Sequence, residues 1–231
     1  MGVPPASGIF SRNSFLTQLS NSNKQTRLTH TYYITSRRYW PGGDSLNRLQ
    51  AKVRGSISAC VDFVQVREKD LSAAALLRLV STFVKFRTGT ATRLLVNGRV
   101  DVAVAAGADG VHLPLPELPL AGLRQQLPSL QIAGVSCHNE QEAAAAAAAG
   151  ADYLLLGPVF ETPSKPGVPP LGLERFARIC AGSSVPVFAL GGVSRANARQ
   201  CVAAGAQGIA GIRLFQEEAN LTQLIAEIKQ L

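Results

Sequence analysis

One six-residue phrase occurs three times in the chain and restricts the fold more than any other feature. Ala106–Val111 reads A-G-A-D-G-V, Ala149–Leu154 reads A-G-A-D-Y-L, and Ala204–Ile209 reads A-G-A-Q-G-I. In each copy a glycine stops a helical run and a short apolar stretch begins immediately afterwards. The first copy lies within Leu94–Leu113, LLVNGRVDVAVAAGADGVHL. That stretch reads as a complete β-α-β unit, with a strand at Leu94–Asn97, a helix through Val100–Ala106 and a second strand at Gly110–Leu113.

The remaining elements follow the same alternation. Strands are expected at Thr31–Thr35, Phe63–Arg67, Gln131–Ser136, Tyr153–Gly157, Val187–Leu190 and Gly208–Ile212. Helices are expected after Asp44 (with Leu46, Leu49 and Val53 inward) and after Asp70 or Ser72 (with Ala75, Leu76, Leu79, Val80 and Phe83 inward). Further helices are expected at Glu117–Leu127, at Glu140–Ala149 capped by Asn139, at Leu173–Ala181, at Arg195–Ala204 capped by Ser194, and at Glu217–Gln230. Eight strands alternating with eight helices predict an α/β (β/α)8 TIM barrel in one domain over residues 29–231, with a doubly wound open sheet as the alternative.

Charge and cysteine content narrow the function classes. The formal charge is +8, yet Arg12, Lys24, Arg27, Arg37 and Arg38 all precede the first acid, Asp44, leaving +3 for the rest. A basic lead on a near-neutral domain is a poor signature of nucleic-acid binding, and the expectation is no nucleic-acid partner. Residues 1–28 read as a flexible basic extension without the apolar core of a secretory signal. No apolar run is long enough to span a bilayer, so no membrane association is expected. Cys60, Cys137, Cys180 and Cys201 are widely spaced, without metal-binding spacing. They read as small buried groups of a cytoplasmic protein. Homo-oligomerisation is left open.

In parallel barrels the ligand-binding residues lie just past the carboxyl ends of the strands. Those positions here are Gln65, Arg67 and Lys69; Asn97; Ser136 and His138; Thr162, Ser164 and Lys165; Gly191 and Gly192; and Gly211 with Arg213. Glycines after strands seven and eight let the backbone approach a phosphate closely, which marks Gly191, Gly192 and Gly211 as a phosphate cup. Arg213 either clamps that phosphate or points to solvent. Arg67 and Lys69 share one face and suit a second anion. His138, at a helix start beside the mouth, is the candidate general acid/base. His30 and His112 are expected to be packed or exposed without chemistry. The acid available near strand four for a metal is Glu117.

From Thr31 to the C-terminus these phrases resemble the thiamine phosphate synthase and thiazole tautomerase (TenI-type) superfamily. The resemblance rests on Gln65-Val66-Arg67-Glu68-Lys69, Asn97-Gly98-Arg99-Val100-Asp101, Ala108–Leu113, Gly134–His138, Gly157-Pro158-Val159-Phe160 through Lys165, and Gly191-Gly192. It implies a barrel binding the small molecule thiazole phosphate. Synthases of this superfamily carry Asn-Asp after strand three and Gly-Gln-x-Asp after strand four, whose aspartates hold Mg2+. This chain has Asn97-Gly98 and Pro114-Leu115-Pro116-Glu117 instead. The expectation is therefore a tautomerase that aromatises a carboxythiazole phosphate without a cofactor, with His138 moving the proton. Ser136, Thr162, Ser164 and Lys165 would orient the ring. The alternatives are a synthase releasing pyrophosphate, with Mg2+ on Glu117, and a non-catalytic thiazole-phosphate-binding protein.

Overall fold

The computed structural model describes residues 28–114 and 120–231. The expected extension over 1–28 therefore lies outside the described residues but for Leu28, and Glu117 lies outside them too. Eight strands form a closed parallel barrel in chain order: β1 (His30–Ile34), β2 (Phe63–Val66), β3 (Arg93–Asn97), β4 (Gly110–Leu113), β5 (Ile132–Cys137), β6 (Tyr153–Leu156), β7 (Val187–Ala189) and β8 (Gly208–Gly211). Closure is made by β1 on β8, with Thr31 paired to Ile209. The open-sheet alternative is thereby set aside.

The described helices are α1 (Ser45–Ser58), α2 (Ala73–Arg87), α3 (Val100–Ala106), α4 (Leu120–Gln126), α5 (Glu140–Ala148), α6 (Gly172–Gly182), α7 (Ala198–Ala203), α8 (Arg213–Gln216) and α9 (Leu221–Lys229). Three depart from expectation. α7 starts three residues late, because Asn197 rather than Ser194 sits at its start. The Asn197 Oδ1 accepts from the Ser194 N–H at 2.8 Å, and this holds residues 194–197 as a turn. The closing helix, expected over Glu217–Gln230, starts at Leu221, because Asn220 caps α9 by accepting from the Gln223 N–H, and the one-turn α8 lies before the expected range. Leu46 is 41% exposed, whereas Leu49 and Val53 are fully buried on the same helix.

Two apolar layers follow from the period-two geometry of a strand. Tyr33, Val64, Leu94 and Val96 point outward onto the helices. Tyr32, Phe63, Tyr153 and Phe188 point inward and fill the barrel, with ring centroids 5.3–5.9 Å apart. Glycine makes the space for these rings: a Cβ on Gly134 would lie 2.0 Å from Cζ of Tyr153.

The repeated phrase has a physical reason. Gly107, Gly150 and Gly205 all adopt the left-handed conformation (φ 71°, 93° and 100°) that ends a helix, where a Cβ is penalised. The fourth residue of each copy then accepts from the N–H near the start of the preceding strand. Asp109 binds Leu94, Asp152 binds Ala133 and Gln207 binds Val187, each at 2.8 Å. Asp62 does the same for Thr31 at 2.9 Å. Ala59-Cys60-Val61-Asp62-Phe63-Val64 is thus a fourth copy in which Cys60 stands at the glycine position, at φ 62°. Cys60→Gly is accordingly expected to stabilise the protein by up to about 1 kcal/mol, seen as a higher urea midpoint at unchanged m.

Candidate active site

The carboxyl ends of the strands open onto a cavity of about 1350 Å3. Gln65, Arg67, Lys69, Asn97, Ser136, His138, Thr162, Ser164, Lys165, Gly191, Gly192, Gly211 and Arg213 all line it. His112, expected to be packed or exposed without chemistry, and Arg38 line it as well.

The glycine pair lies where the loops after β6 and β7 meet. Gly191 and Gly192 have φ of 89° and 68°. A Cβ on Gly191 would lie 2.6 Å from Pro158 Cα, and one on Gly192 would lie 2.4 Å from the Glu161 carbonyl oxygen. The Leu190 and Gly191 carbonyls accept from Val159 and Phe160, and the Gly192 carbonyl accepts from the Asn197 side chain. The carbonyls of this turn are therefore spent on its own fold. Gly211 ends β8, and the one-turn α8 follows, in the part of the barrel that commonly binds phosphate. Arg213 lines the cavity, but its Nε donates to Glu217 at 2.7 Å, and the Tyr39 hydroxyl donates to the same oxygen.

At the opposite side, β5 runs through Ser136 into His138, and Asn139 caps α5 by accepting from the Glu142 N–H at 2.9 Å. This cap brings Glu142 back over the turn. Its carboxylate accepts from the His138 N–H at 2.6 Å and meets His138 Nδ1 at 2.9 Å. The other ring nitrogen, Nε2, lies 2.8 Å from Lys165 Nζ. A carboxylate at Nδ1 and an ammonium at Nε2 orient the ring, with Nδ1–H donating and the Nε2 lone pair accepting. Burial, followed by the charge of Arg67, lowers the pKa of Lys165 and makes its proton easier to release. Lys165, expected only to orient a ligand, is thus also the partner of His138. Glu142, four residues beyond His138 on a capped helix, was missed; the capping pattern was the signal that could have found it.

His112 is packed, as expected, but it is also hydrogen-bonded at the cavity floor. Its Nε2 lies 2.7 Å from Ser136 Oγ and its Nδ1 lies 3.1 Å from the Tyr153 hydroxyl. Burial, then Arg67, pulls its pKa down to about 3. In the unfolded chain the value is 6.5, so between these limits unfolding takes up a proton. Stability is therefore expected to fall as pH drops from about 6.5 towards 3. Melting temperatures of the wild type and His112→Gln across that range check this, since the variant lacks the contribution. Gln65 is turned partly into the barrel, its Nε2 donating to Tyr32 at 3.0 Å. Thr162 and Ser164 bond each other at 2.9 Å.

The Mg2+ that the superfamily resemblance implies needs carboxylates at the mouth. Among the described residues, the ends of β3 and β4 offer Asn97, Gly98, His112 and Pro114. Of the three carboxylates that line the cavity, Glu217 holds Arg213 and Glu218 holds Arg195, leaving Glu161, a single carboxylate in the loop after β6 rather than at the ends of β3 and β4. The described residues therefore do not fit a Mg2+ site, and no group of three metal-ligating side chains occurs among them. No described helix is long and apolar enough to cross a membrane.

Comparison with known proteins agrees with the fold and names the chemistry. A Geobacter sulfurreducens protein provisionally named thiamine-phosphate synthase is 46% identical over 180 residues, 78% of this chain and 83% of that one. The thiamine-phosphate synthase of Synechocystis sp. is 38% identical over 180 residues; the chain spans 52% of its length. Among solved structures, thiamine phosphate pyrophosphorylase from Pyrococcus furiosus superposes with a TM-score of 0.74 at 30% identity, covering 87% of this chain and 93% of that one. These names support the coupling enzyme, which was the alternative, and give no specific support to a tautomerase. The family model described as thiamine monophosphate synthase (TMP-TENI) matches residues 31–215. The chain therefore belongs to the thiamine monophosphate synthase (TMP-TENI) family and is an enzyme of thiamine biosynthesis.

Proposed function

We propose that the chain binds a thiazole phosphate and moves a proton on it, the tautomerase reaction, with the phosphate against Gly191, Gly192 and Gly211. The observation that carries this reading is the Glu142–His138–Lys165 array at the cavity wall, 2.9 and 2.8 Å on either side of the ring. A ligand carboxylate that draws the Lys165 ammonium to itself uncovers the Nε2 lone pair. That nitrogen takes a proton from one ring position and returns it at another, so no atom is gained or lost. Glu142 stabilises the imidazolium formed in between. Ser136, Thr162 and Ser164 supply hydrogen bonds that orient the ring. No step passes through a metal.

A second reading, coupling of a pyrimidine diphosphate to the thiazole phosphate, is supported by the relatives' names and by two features of the cavity. Its volume of about 1350 Å3 exceeds the roughly 300–1,000 Å3 typical for one small ligand. Arg67 and Lys69 also form a second bank of cations beside Lys165, suited to departing pyrophosphate. Either reaction proceeds in a small-molecule site of a protein expected to reside in the cytoplasm, without a nucleic-acid partner.

The test incubates the protein with the non-aromatic thiazole phosphate tautomer in excess chelator and follows formation of the aromatic product. In parallel, both coupling substrates are supplied with Mg2+. Chelator-resistant aromatisation is the expected result. Robust thiamine phosphate formation with no aromatisation would replace the first reading by the second.

A further inference from the structure

A buried polar chain runs from the cavity floor into the barrel. Tyr32 and Tyr153 are fully buried, Gln65 is 1% exposed and His112 is 2% exposed. In this setting each hydroxyl has one hydrogen to give, and an unsatisfied group is costly, so the direction of every bond constrains the next.

The Gln65 Nε2 donates to the Tyr32 hydroxyl at 3.0 Å. Tyr32 has no other acceptor for its hydrogen among the described residues, so that hydrogen goes to the Tyr153 hydroxyl, 2.7 Å away. Tyr153 in turn donates to His112 Nδ1 at 3.1 Å. Burial and the nearby Arg67 keep the imidazole neutral, so a ring that accepts at Nδ1 carries its one hydrogen at Nε2. The Nε2–H then donates to Ser136 Oγ at 2.7 Å. Ser136 faces the cavity, and no described residue accepts its hydrogen.

We infer that the chain from Gln65 through Tyr32, Tyr153 and His112 fixes the polarity of Ser136. Its hydroxyl then presents a hydrogen rather than a lone pair to the ligand, and Tyr153 and His112 are positioning residues for recognition of an acceptor oxygen. The ligand atom so recognised is a carboxylate or phosphoryl oxygen, which suits a cavity already rich in cations. The inference does not rest on which reaction the enzyme performs, since both involve anionic ligands. The reverse orientation would carry the hydrogen on Nδ1 and turn Ser136 into an acceptor.

The two orientations place the His112 ring proton on different nitrogens, and nitrogen NMR of the full chain with 15N-labelled histidine reads this directly. The His112 signals, assigned by their loss in His112→Gln, are expected to show a protonated Nε2 and a bare Nδ1. A protonated Nδ1 would overturn the inference. Function is then read with inorganic pyrophosphate as the probe. Tyr153→Phe is expected to weaken its binding about threefold to tenfold, and to have no effect in a Ser136→Ala background. An equal loss in both backgrounds would show that Tyr153 acts through packing alone.

Discussion

His138→Ala is expected to lower turnover by about 10²- to 10⁴-fold while leaving affinity for the phosphate end of the ligand nearly unchanged, the signature of a lost general acid/base. The side chain is 44% exposed and touches Glu142 and Lys165 rather than the apolar core. Its removal therefore opens no buried cavity, and the melting temperature should hold within a few degrees. Glu142→Gln tests the same array from its other side. The amide still bonds Nδ1 but no longer carries the charge that stabilises the imidazolium, so a smaller loss in kcat at constant KM is expected. Measured kcat and KM for both variants separate the proposed role from the alternative of a protein that merely binds the ligand. In that case turnover is absent in the wild type and phosphate affinity is the property that survives.

Gly192→Ala is expected to remove the phosphate cup. At φ 68° an alanine pays roughly 1–2 kcal/mol for the left-handed conformation. Its Cβ would also meet the Glu161 carbonyl oxygen at 2.4 Å and Phe160 Cβ at 2.7 Å. Neither obstacle is the far end of a flexible side chain, so the loops after β6 and β7 must separate, at a further cost of about 1–3 kcal/mol. The turn proposed to hold the phosphate is then no longer in register, and phosphate affinity is expected to fall more than about tenfold. Calorimetric titration with inorganic phosphate and a melting curve check both effects. Unchanged phosphate affinity in a folded variant would place the anion elsewhere in the mouth.

Much of the architecture was legible because its signals are local. Glycine followed by alanine and an Asp or Gln marks the end of a helix and the start of a strand, and this alone gives three of the four repeats. The first repeat escaped because Cys60 occupies the left-handed position, a choice that sterics disfavour and a pattern search does not anticipate. The hydrogen bond that the Asp62 carboxylate accepts from the Thr31 N–H survives the change and shows it to be the same device. The start of α7 was misread for a related reason. Ser194 is a good cap by type, but whether a polar residue caps or ties down a loop depends on where its neighbours lie, and Asn197 holds both the Ser194 amide and the Gly192 carbonyl.

The site was legible at the level of which residues reach the mouth, since that follows from strand ends. How they pair there was not. His112 looks like one more strand residue until β5 and β6 bring Ser136 and Tyr153 to its two nitrogens. Lys165 is 27 residues from His138 in sequence, and their contact depends on the path of the loop after β6.

The account depends on one ligand touching the glycine cup and the imidazole of His138 at the same time. The direct measurement is an NMR titration with thiazole phosphate that follows the amides of Gly191 and Gly192 together with the His138 ring. All three sets of signals should move along one saturation curve. Saturation of the glycine amides with the His138 ring signals unmoved would contradict the account.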